Sequence, residues 1–366
     1  MRRLQKKAAG ILLGIGILGF ICNLGHMTDV SETWMMPRSS YAGTVGEGNS
    51  QFWETQMGFV MPLIRYMSQK EAGELQTEDV FTSKLIAAKP IDSGDNTDTG
   101  LAERVDGEKV KASLSIDKLR DVSYLLGRFY TVDSTTTVKK SQMNVDKFLK
   151  KDMHLDQSTK GPKVLIFHTH SQEAFKDSKK GDKTTTIVGI GAYLAEKLNE
   201  KGIETLHHAG VYDLVNGKLD RSKAYELSEK GVKEILNRNP SIEVVIDLHR
   251  DGVKNNVHLV KEVDGKPTAR IMFFNGLSRT KTNGDISYLY NPYIEDNLAF
   301  SFQMQLASET LYPGFARKIY LKGYRYSLHM MPKSLLIEAG AQTNTVEEMK
   351  NAMDLLSNIL YDVLVK

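Results

Sequence analysis

The chain has 366 residues, of which 25% are charged and 41% are hydrophobic, and its formal net charge at pH 7 is +3. That length is ample for a sizeable core and favours two domains over one. The small net charge, with no dense stripe of Lys and Arg interleaved with aromatic side chains, gives no indication of nucleic-acid binding. The single cysteine, Cys22, excludes an intrachain disulfide framework and a cysteine-based zinc site. Any bound metal must therefore be held by His, Asp or Glu.

The N-terminus carries a basic flank followed by an apolar run. Four Lys and Arg residues within positions 2–7 precede residues 8–24, which are rich in Ile, Leu and Gly. This pattern predicts a single-pass transmembrane anchor whose basic side stays in the cytoplasm, so that the rest of the chain lies outside. A signal peptide that is cleaved off is the alternative. We assign residues 1–27 to the flank and the anchor.

Residues 28–110 form a juxtamembrane accessory region and a linker in this interpretation. Apolar residues within 51–75 follow helical spacing, and Pro62 is expected to kink or break that helix. The helix fits either a small core or a membrane surface. Residues 91–108 are rich in Asp, Gly, Thr and Ser, which is typical of a flexible linker.

Residues 111–366 have the pattern of an α/β catalytic domain, in which predicted strands and helices alternate. The predicted strands are 164–168, 203–207, 243–249, 318–322 and 334–338, with a hairpin of 257–263 and 268–275, and the predicted helices are 184–202, 221–238, 291–311 and 345–364. Residues 122–132 fit either the end of a helix or a strand. The alternation predicts a mostly parallel, twisted sheet covered by helices on both faces.

Three of the predicted strands end in polar side chains that could carry chemistry. Because the carboxyl ends of parallel strands meet at one edge of a sheet, we expect these side chains to lie close together, where ligands bind in such folds. They are His168, His170 and Glu173 after the first strand, His249 at the end of the third, and Glu338 at the end of strand 334–338.

This set of side chains predicts a zinc site. Catalytic zinc uses three protein ligands and an open position, and two histidines with one glutamate are a known set. His170, Glu173 and His249 are the predicted ligands, and Glu338 is the predicted base that takes a proton from the attacking water. His168 would share a strand face with His170, so it is the alternative ligand or a neighbour of the metal. Two hydrogen-bonded histidines without a metal are the structural alternative.

The motifs resemble a known family. HTHSQEAF at 168–175, IDLHRDG at 246–252 and LLIEAGAQTNTVEE at 335–348 resemble the stage II sporulation protein P family, as do FYTVDSTT at 129–136 and PYIEDNLAFS at 292–301. The resemblance extends over roughly residues 112–366. It implies an α/β fold like that of zinc amidases, with Zn²⁺ on His170, Glu173 and His249 and the catalytic carboxylate at Glu338.

The resemblance also implies an activity and a setting. The activity is that of a zinc-dependent N-acetylmuramoyl-L-alanine amidase, a peptidoglycan hydrolase that cleaves the amide between N-acetylmuramic acid and the L-alanine of the stem peptide. A second, endopeptidase activity on peptide cross-links is implied as well. The setting is engulfment during sporulation, with the chain anchored in the mother-cell membrane and facing the forespore. The implied partners are stage II sporulation proteins D and M.

Two arginines and two rival functions complete these expectations. Arg250 and Arg270 are predicted contacts for stem-peptide carboxylates, because a planar guanidinium suits bidentate pairing. One rival function is a zinc carboxypeptidase or endopeptidase that acts only on stem peptides and uses the same ligands. The other is a wall-binding scaffold without enzymatic activity.

Overall fold

The computed structural model describes residues 115–366. The predicted anchor at 1–27 and the predicted accessory region at 28–110 lie outside the described residues. The described part falls within the predicted catalytic domain. No helix within it is long and apolar enough to cross a membrane.

Helices and strands alternate along much of the described chain, which confirms the predicted α/β class. The helices are α1 (Ile116–Leu119), α2 (Val122–Phe129), α3 (Val145–Lys150), α4 (Ile187–Glu200), α5 (Ala224–Arg238), α6 (Ile294–Leu311) and α7 (Val346–Val365). The strands are β1 (Tyr130–Val132), β2 (Val164–Phe167), β3 (Thr205–His207), β4 (Leu214–Val215), β5 (Lys218–Leu219), β6 (Val244–Asp251), β7 (Val260–Val263), β8 (Lys266–Ala269), β9 (Ile271–Gly276), β10 (Arg279–Thr280), β11 (Gly284–Asp285), β12 (Ile319–Lys322) and β13 (Ser334–Ala341).

Seven of these strands form one sheet, in the order β1-β12-β9-β13-β6-β2-β3. Five of the six neighbouring pairs are parallel, and only β9 and β13 are antiparallel. The prediction of a mostly parallel sheet is therefore confirmed. Strands β13, β6, β2 and β3 run in one direction, whereas β9, β12 and β1 run in the other. The edge at which β6 and β13 end is consequently the edge at which β9 and β12 begin.

Strand β2 shows why helices cover the sheet on two sides. Its four residues are fully buried, with Val164 and Ile166 facing one core and Leu165 and Phe167 facing another. A strand that is apolar on both faces is typical of a parallel strand in the middle of a layered fold. The larger core contains residues of α4, α6 and α7, and the smaller one contains Val232 of α5.

The second face of the sheet has a different cover over β13 and β9. There Leu336, Met272 and Phe274 pack with Leu328 and Tyr326, which belong to the loop between β12 and β13. No residue of α5 belongs to this cluster. The functional side chains lie on this face and at the adjoining sheet edge.

The predicted hairpin of 257–263 and 268–275 was wrong in its second half. The turn at Asp264 and Gly265 is present, with φ of 50° and 75°, and it joins β7 to β8. A turn with two positive φ values matches the twist of a tight hairpin. Beyond Arg270, however, the chain leaves the hairpin and enters the main sheet as β9. Residues 122–132 likewise divide into α2 followed by β1 rather than forming one element.

Candidate active site

The four predicted ligand and base residues are neighbours. His249 and Glu338 are directly paired across β6 and β13. The ring centroids of His170 and His249 are 5.2 Å apart. Oε2 of Glu173 is 3.7 Å from Nδ1 of His249. The loop after β2 and the ends of two strands therefore bring these side chains to one edge of the sheet.

Two buried aspartates hold the loop after β2 in place. Asp247 of β6 accepts hydrogen bonds from the backbone N–H of Thr169, at 2.9 Å, and from its hydroxyl, at 2.7 Å. Asp213 accepts from the hydroxyl of Ser171, at 2.8 Å, and from the backbone N–H of Gln172, at 3.1 Å. These bonds fix the loop on both sides of His170. Sequence reasoning did not single out Asp213, because it lies outside the predicted strands.

His168 faces away from this group. Its Nδ1 lies 2.8 Å from the carbonyl oxygen of Leu248, and its Nε2 lies 2.9 Å from Nε2 of His207. Burial lowers the pKa of His168 to about 3, so the ring is neutral. Strand β2 ends at Phe167, and the two-residue alternation that would place His168 beside His170 does not continue through them. Both nitrogens of His168 are engaged, whereas Nδ1 of His170 is buried without a hydrogen-bond partner.

Glu173 is buried as a carboxylate. Burial alone would raise its pKa, but the neighbouring ring of His249, with the charge of His170, holds that pKa below its usual range. Its Oε2 accepts the backbone N–H of Arg250 at 2.9 Å. Its Oε1 lies 3.6 Å from the guanidinium of Arg221, a contact that no sequence motif predicts. Both carboxylate oxygens are thus oriented by neighbouring groups.

His249 lies between two carboxylates. Its Nε2 is 2.8 Å from Oδ1 of Asp247, a close ion-pair contact, and its Nδ1 faces Glu173. Burial alone would lower the pKa of His249, but the charges of Asp247 and Glu173 raise it well above its usual value. A carboxylate behind a histidine is the arrangement that orients histidine ligands in metal sites.

Glu338 has one carboxyl oxygen without a protein partner. Its Oε2 is buried and accepts no hydrogen bond. Burial and the negative charge of Asp251 raise the pKa of Glu338 well above its usual value. Asp251 is itself held by the guanidinium of Arg317 at 2.7 Å. An unpaired carboxyl group in such a place is costly, which is typical of a functional side chain.

The residues fit zinc in their chemistry, although they do not enclose an ion as arranged. Among residues 115–366, no group of three or more His, Cys, Asp and Glu side chains has the geometry of a metal site. Still, Nδ1 of His170 lacks a partner, and the 3.7 Å between His249 and Glu173 is close to the spacing of two ligands on one ion. Two ligands of a tetrahedral zinc, each at roughly 2.0–2.2 Å, lie about 3.4 Å apart.

The two predicted substrate arginines differ in their surroundings. Arg250 is only 9% exposed, and its guanidinium donates to the backbone carbonyls of Ala174, at 2.9 Å, and Asp251, at 3.2 Å. It therefore ties the loop after β2 to β6. Arg270 lines a separate cavity at the same sheet edge.

An aromatic wall that sequence reasoning missed lies beside His170. The ring of Tyr225, in the first turn of α5, is 5.5 Å from the ring of His170 and 5.4 Å from that of Tyr326. Both tyrosines come from segments without strand-end motifs, so no local pattern marked them. They form one wall of the site.

Comparison with known proteins gives one family match over most of the chain. Residues 82–361 match the sequence model of the family described as Stage II sporulation protein P (SpoIIP). The stage II sporulation protein P of Bacillus subtilis (strain 168) is 22% identical over 215 residues. That alignment covers 55% of this chain and 50% of the relative. The chain thus spans about half the length of the curated relative it matches.

Solved structures give weaker similarities. The CwlD amidase from Clostridioides difficile, in complex with the GerS lipoprotein, is 17% identical, covers 54% of this chain and 94% of its own, and has a TM-score of 0.35. The N-acetylmuramoyl-L-alanine amidase AmiC2 of Nostoc punctiforme is 13% identical, covers 56% of this chain and 98% of its own, and has a TM-score of 0.32. TM-scores this low do not establish a common fold.

Proposed function

Because the chain belongs to the stage II sporulation protein P family, we propose that it is a peptidoglycan hydrolase of sporulation. The bond that it cleaves is the amide between N-acetylmuramic acid and the L-alanine of the stem peptide. One observation carries the proposal: His170, Glu173 and His249 are neighbours of Glu338, a half-buried residue whose buried Oε2 has no protein partner.

In this proposal Zn²⁺ is held by His170, Glu173 and His249. Bound there, it supplies a Lewis acid that polarises the scissile carbonyl and lowers the pKa of the attacking water. Asp247 keeps the ring of His249 oriented, while the backbone N–H of Arg250 does the same for Glu173. These contacts are made within the protein, so the donors are held in place before substrate binds.

Glu338 moves the proton in this mechanism. Its carboxylate takes a proton from the attacking water and passes it to the leaving nitrogen of the amide. Burial and the charge of Asp251 raise the pKa of Glu338, so its carboxylate binds the proton taken from water more readily than an exposed glutamate would. Positive charge in the site would favour its carboxylate form, in which it can act as a base.

The setting is also part of the proposal. We place the chain in the mother-cell membrane, facing the forespore, with stage II sporulation proteins D and M as partners. The basic residues within 2–7 and the apolar run at 8–24 support the anchor. The family membership supports the engulfment role.

Digestion of purified sacculi by the full-length chain tests the function. Mass spectrometry should find free stem peptides and glycan that has lost its peptides. Shortened peptides that remain attached to muramic acid would instead indicate a carboxypeptidase or endopeptidase. Binding to sacculi without any released product would support the non-enzymatic scaffold.

Glu338→Gln tests the proton transfer in the same assay. Loss of the base should lower kcat by about 10²–10⁴-fold and leave the zinc content unchanged. Glu347→Gln is the matched control, because Glu347 is exposed in the first turn of α7, away from the site. Wild-type activity in Glu338→Gln would rule out this role for Glu338.

A further inference from the structure

A cavity of about 330 Å³ lies at the sheet edge where β9 and β12 begin. Its lining includes one carboxylate, Glu309, and five cationic side chains, which is an excess of four positive charges. We call it the basic pocket. The five cations are Arg128, Lys261, Arg270, Arg317 and Lys318. Like charges gathered in one concave space raise the local concentration of anions.

The basic pocket also contains a buried amide with an unused hydrogen-bonding atom. Gln305 of α6 is 2% exposed, and its Oε1 has no hydrogen-bond partner. A polar group that is buried without a partner costs free energy, so a ligand that satisfies it gains affinity. The two ends of a glutamine amide can exchange places by rotation, which allows its NH₂ group to donate to an anion.

The basic pocket adjoins the site that contains Glu338. Arg317 lines the pocket, and its guanidinium pairs with Asp251 of β6, two residues after His249. Its backbone N–H donates to the carbonyl oxygen of Ile271, the first residue of β9, at 2.7 Å. Ile271 in turn pairs with Ala339, which follows Glu338 in β13. The pocket and the site at Glu338 are therefore connected through Arg317 and the adjoining residues of β9 and β13.

We propose that the basic pocket binds carboxylate groups of the stem peptide while the scissile amide lies at Glu338. The inference rests on the proposed function for the identity of the ligand. A stem peptide carries carboxylates, which arginines pair with in bidentate fashion. It also carries backbone N–H groups, for which Glu309, paired with Arg128 at 3.2 Å, is a carboxylate acceptor in the same lining. That carboxylate makes the pocket a poorer match for a phosphate polymer, which is all acceptor.

Binding measurements with the full-length chain test the proposal independently of hydrolysis. The probes are a synthetic stem peptide with free carboxylates, the same peptide with its carboxylates converted to carboxamides, and inorganic phosphate, each titrated by calorimetry. Lys261→Gln and Lys318→Gln remove one charge each from partly or fully exposed positions. Lys160→Gln is the matched control, because Lys160 is exposed and is not part of the pocket lining.

Each pocket variant should weaken binding of the free-carboxylate peptide by about tenfold, the usual worth of a charge-assisted contact. Binding of the carboxamide peptide and the effect of Lys160→Gln should stay at wild-type level. Equal affinity for the two peptides, or unchanged affinity in both pocket variants, would overturn the proposal. A third result would overturn the proposal in favour of a phosphorylated polymer. In that case phosphate binds and the pocket variants abolish its binding, whereas the free-carboxylate peptide does not bind.

Failure of the proposed hydrolase function can be distinguished from failure of the pocket assignment. If the variants weaken peptide binding as expected but sacculi digested by the wild type release no stem peptide, then the proposed function fails and the pocket assignment stands. If sacculi lose their stem peptides but the free-carboxylate and carboxamide peptides bind with equal affinity, then the pocket assignment fails and the function stands.

Discussion

His168 and His170 are separated by a single threonine, yet different chemistry surrounds them. His168 is fully buried and hydrogen-bonded through both nitrogens, to Leu248 and to His207. His170 stands beside His249 with a buried nitrogen that has no partner. A ring whose nitrogens are both engaged has no donor for a metal, so we propose that His168 contributes stability and that His170 binds zinc.

Alanine substitutions should separate these two roles. His168→Ala removes a buried ring and leaves Leu248 and His207 without a partner, which should lower the free energy of unfolding by roughly 2–4 kcal/mol. His170→Ala should lose zinc and activity, and with chelator present its stability should be nearly that of the wild type. Zinc content by mass spectrometry and urea unfolding measure the two effects.

His154→Ala is the matched control, because His154 is exposed and pairs only locally with Asp152. It should match the wild type in both measurements. The assignment would be reversed if His168→Ala lost its zinc at unchanged stability while His170→Ala kept it.

At the scale of elements, the packing of α4 depends on the contact between His168 and His207. A Cβ at Gly191 would lie 2.5 Å from Cε1 and Nε2 of His168 and 3.0 Å from Nε2 of His207. Helix α4 can therefore come this close to His168 and His207 only at a residue that has no side chain. Helix α2 offers a contrast, since nothing lies within 4 Å of a Cβ at Gly127.

Glycine-to-alanine substitutions in the two helices should change the free energy of unfolding in opposite directions. Ala improves helix propensity by about 1 kcal/mol, and Gly127→Ala should gain up to that amount. Gly191→Ala should instead lose roughly 1–3 kcal/mol, because the overpacked ring pair must shift. Urea unfolding of both variants measures the difference. A stabilised Gly191→Ala would show that the His168–His207 contact is not rigid.

Much of the element order could be predicted from the sequence, and the exceptions have physical causes. Predicted strands such as 164–168 and 243–249 agree with β2 and β6 to within a few residues, because buried apolar runs report burial directly. The strand β9 was assigned to a hairpin, since its pairing with β12 and β13 depends on residues far away in sequence. A local sequence pattern therefore indicates that a strand is buried better than it indicates which strands it pairs with.

The residues of the candidate site likewise include some that the sequence predicts and some that it does not. His170, Glu173, His249 and Glu338 could be found because each stands near or just after the carboxyl end of a strand, where parallel topology brings side chains together. Arg221 and Tyr225 could not be found, since they reach the site from the start of α5 and the loop before it. Their contribution depends on how α5 packs on the sheet.

At the scale of the whole molecule, the change of direction between β9 and β13 concentrates function at one edge. The strands that end there deliver His249 and Glu338, and the strands that begin there are flanked by Arg270 and Arg317. One edge thus holds both the proposed zinc ligands and the basic pocket. A sheet with all strands parallel would place the starts of β9 and β12 at the opposite edge.

Zinc binding at this edge should be coupled to the stability of the whole fold. The proposed ligands come from the loop after β2 and from β6, so they converge only in the native state, and a ligand that binds only the native state stabilises it by mass action. At free zinc about 100 times Kd the gain is about 2.7 kcal/mol, a rise in Tm of roughly 5–10 °C. Thermal unfolding with zinc or with chelator measures this. Glu338→Gln should keep the shift and His170→Ala should lose it; equal shifts in His170→Ala and the wild type would place the zinc elsewhere.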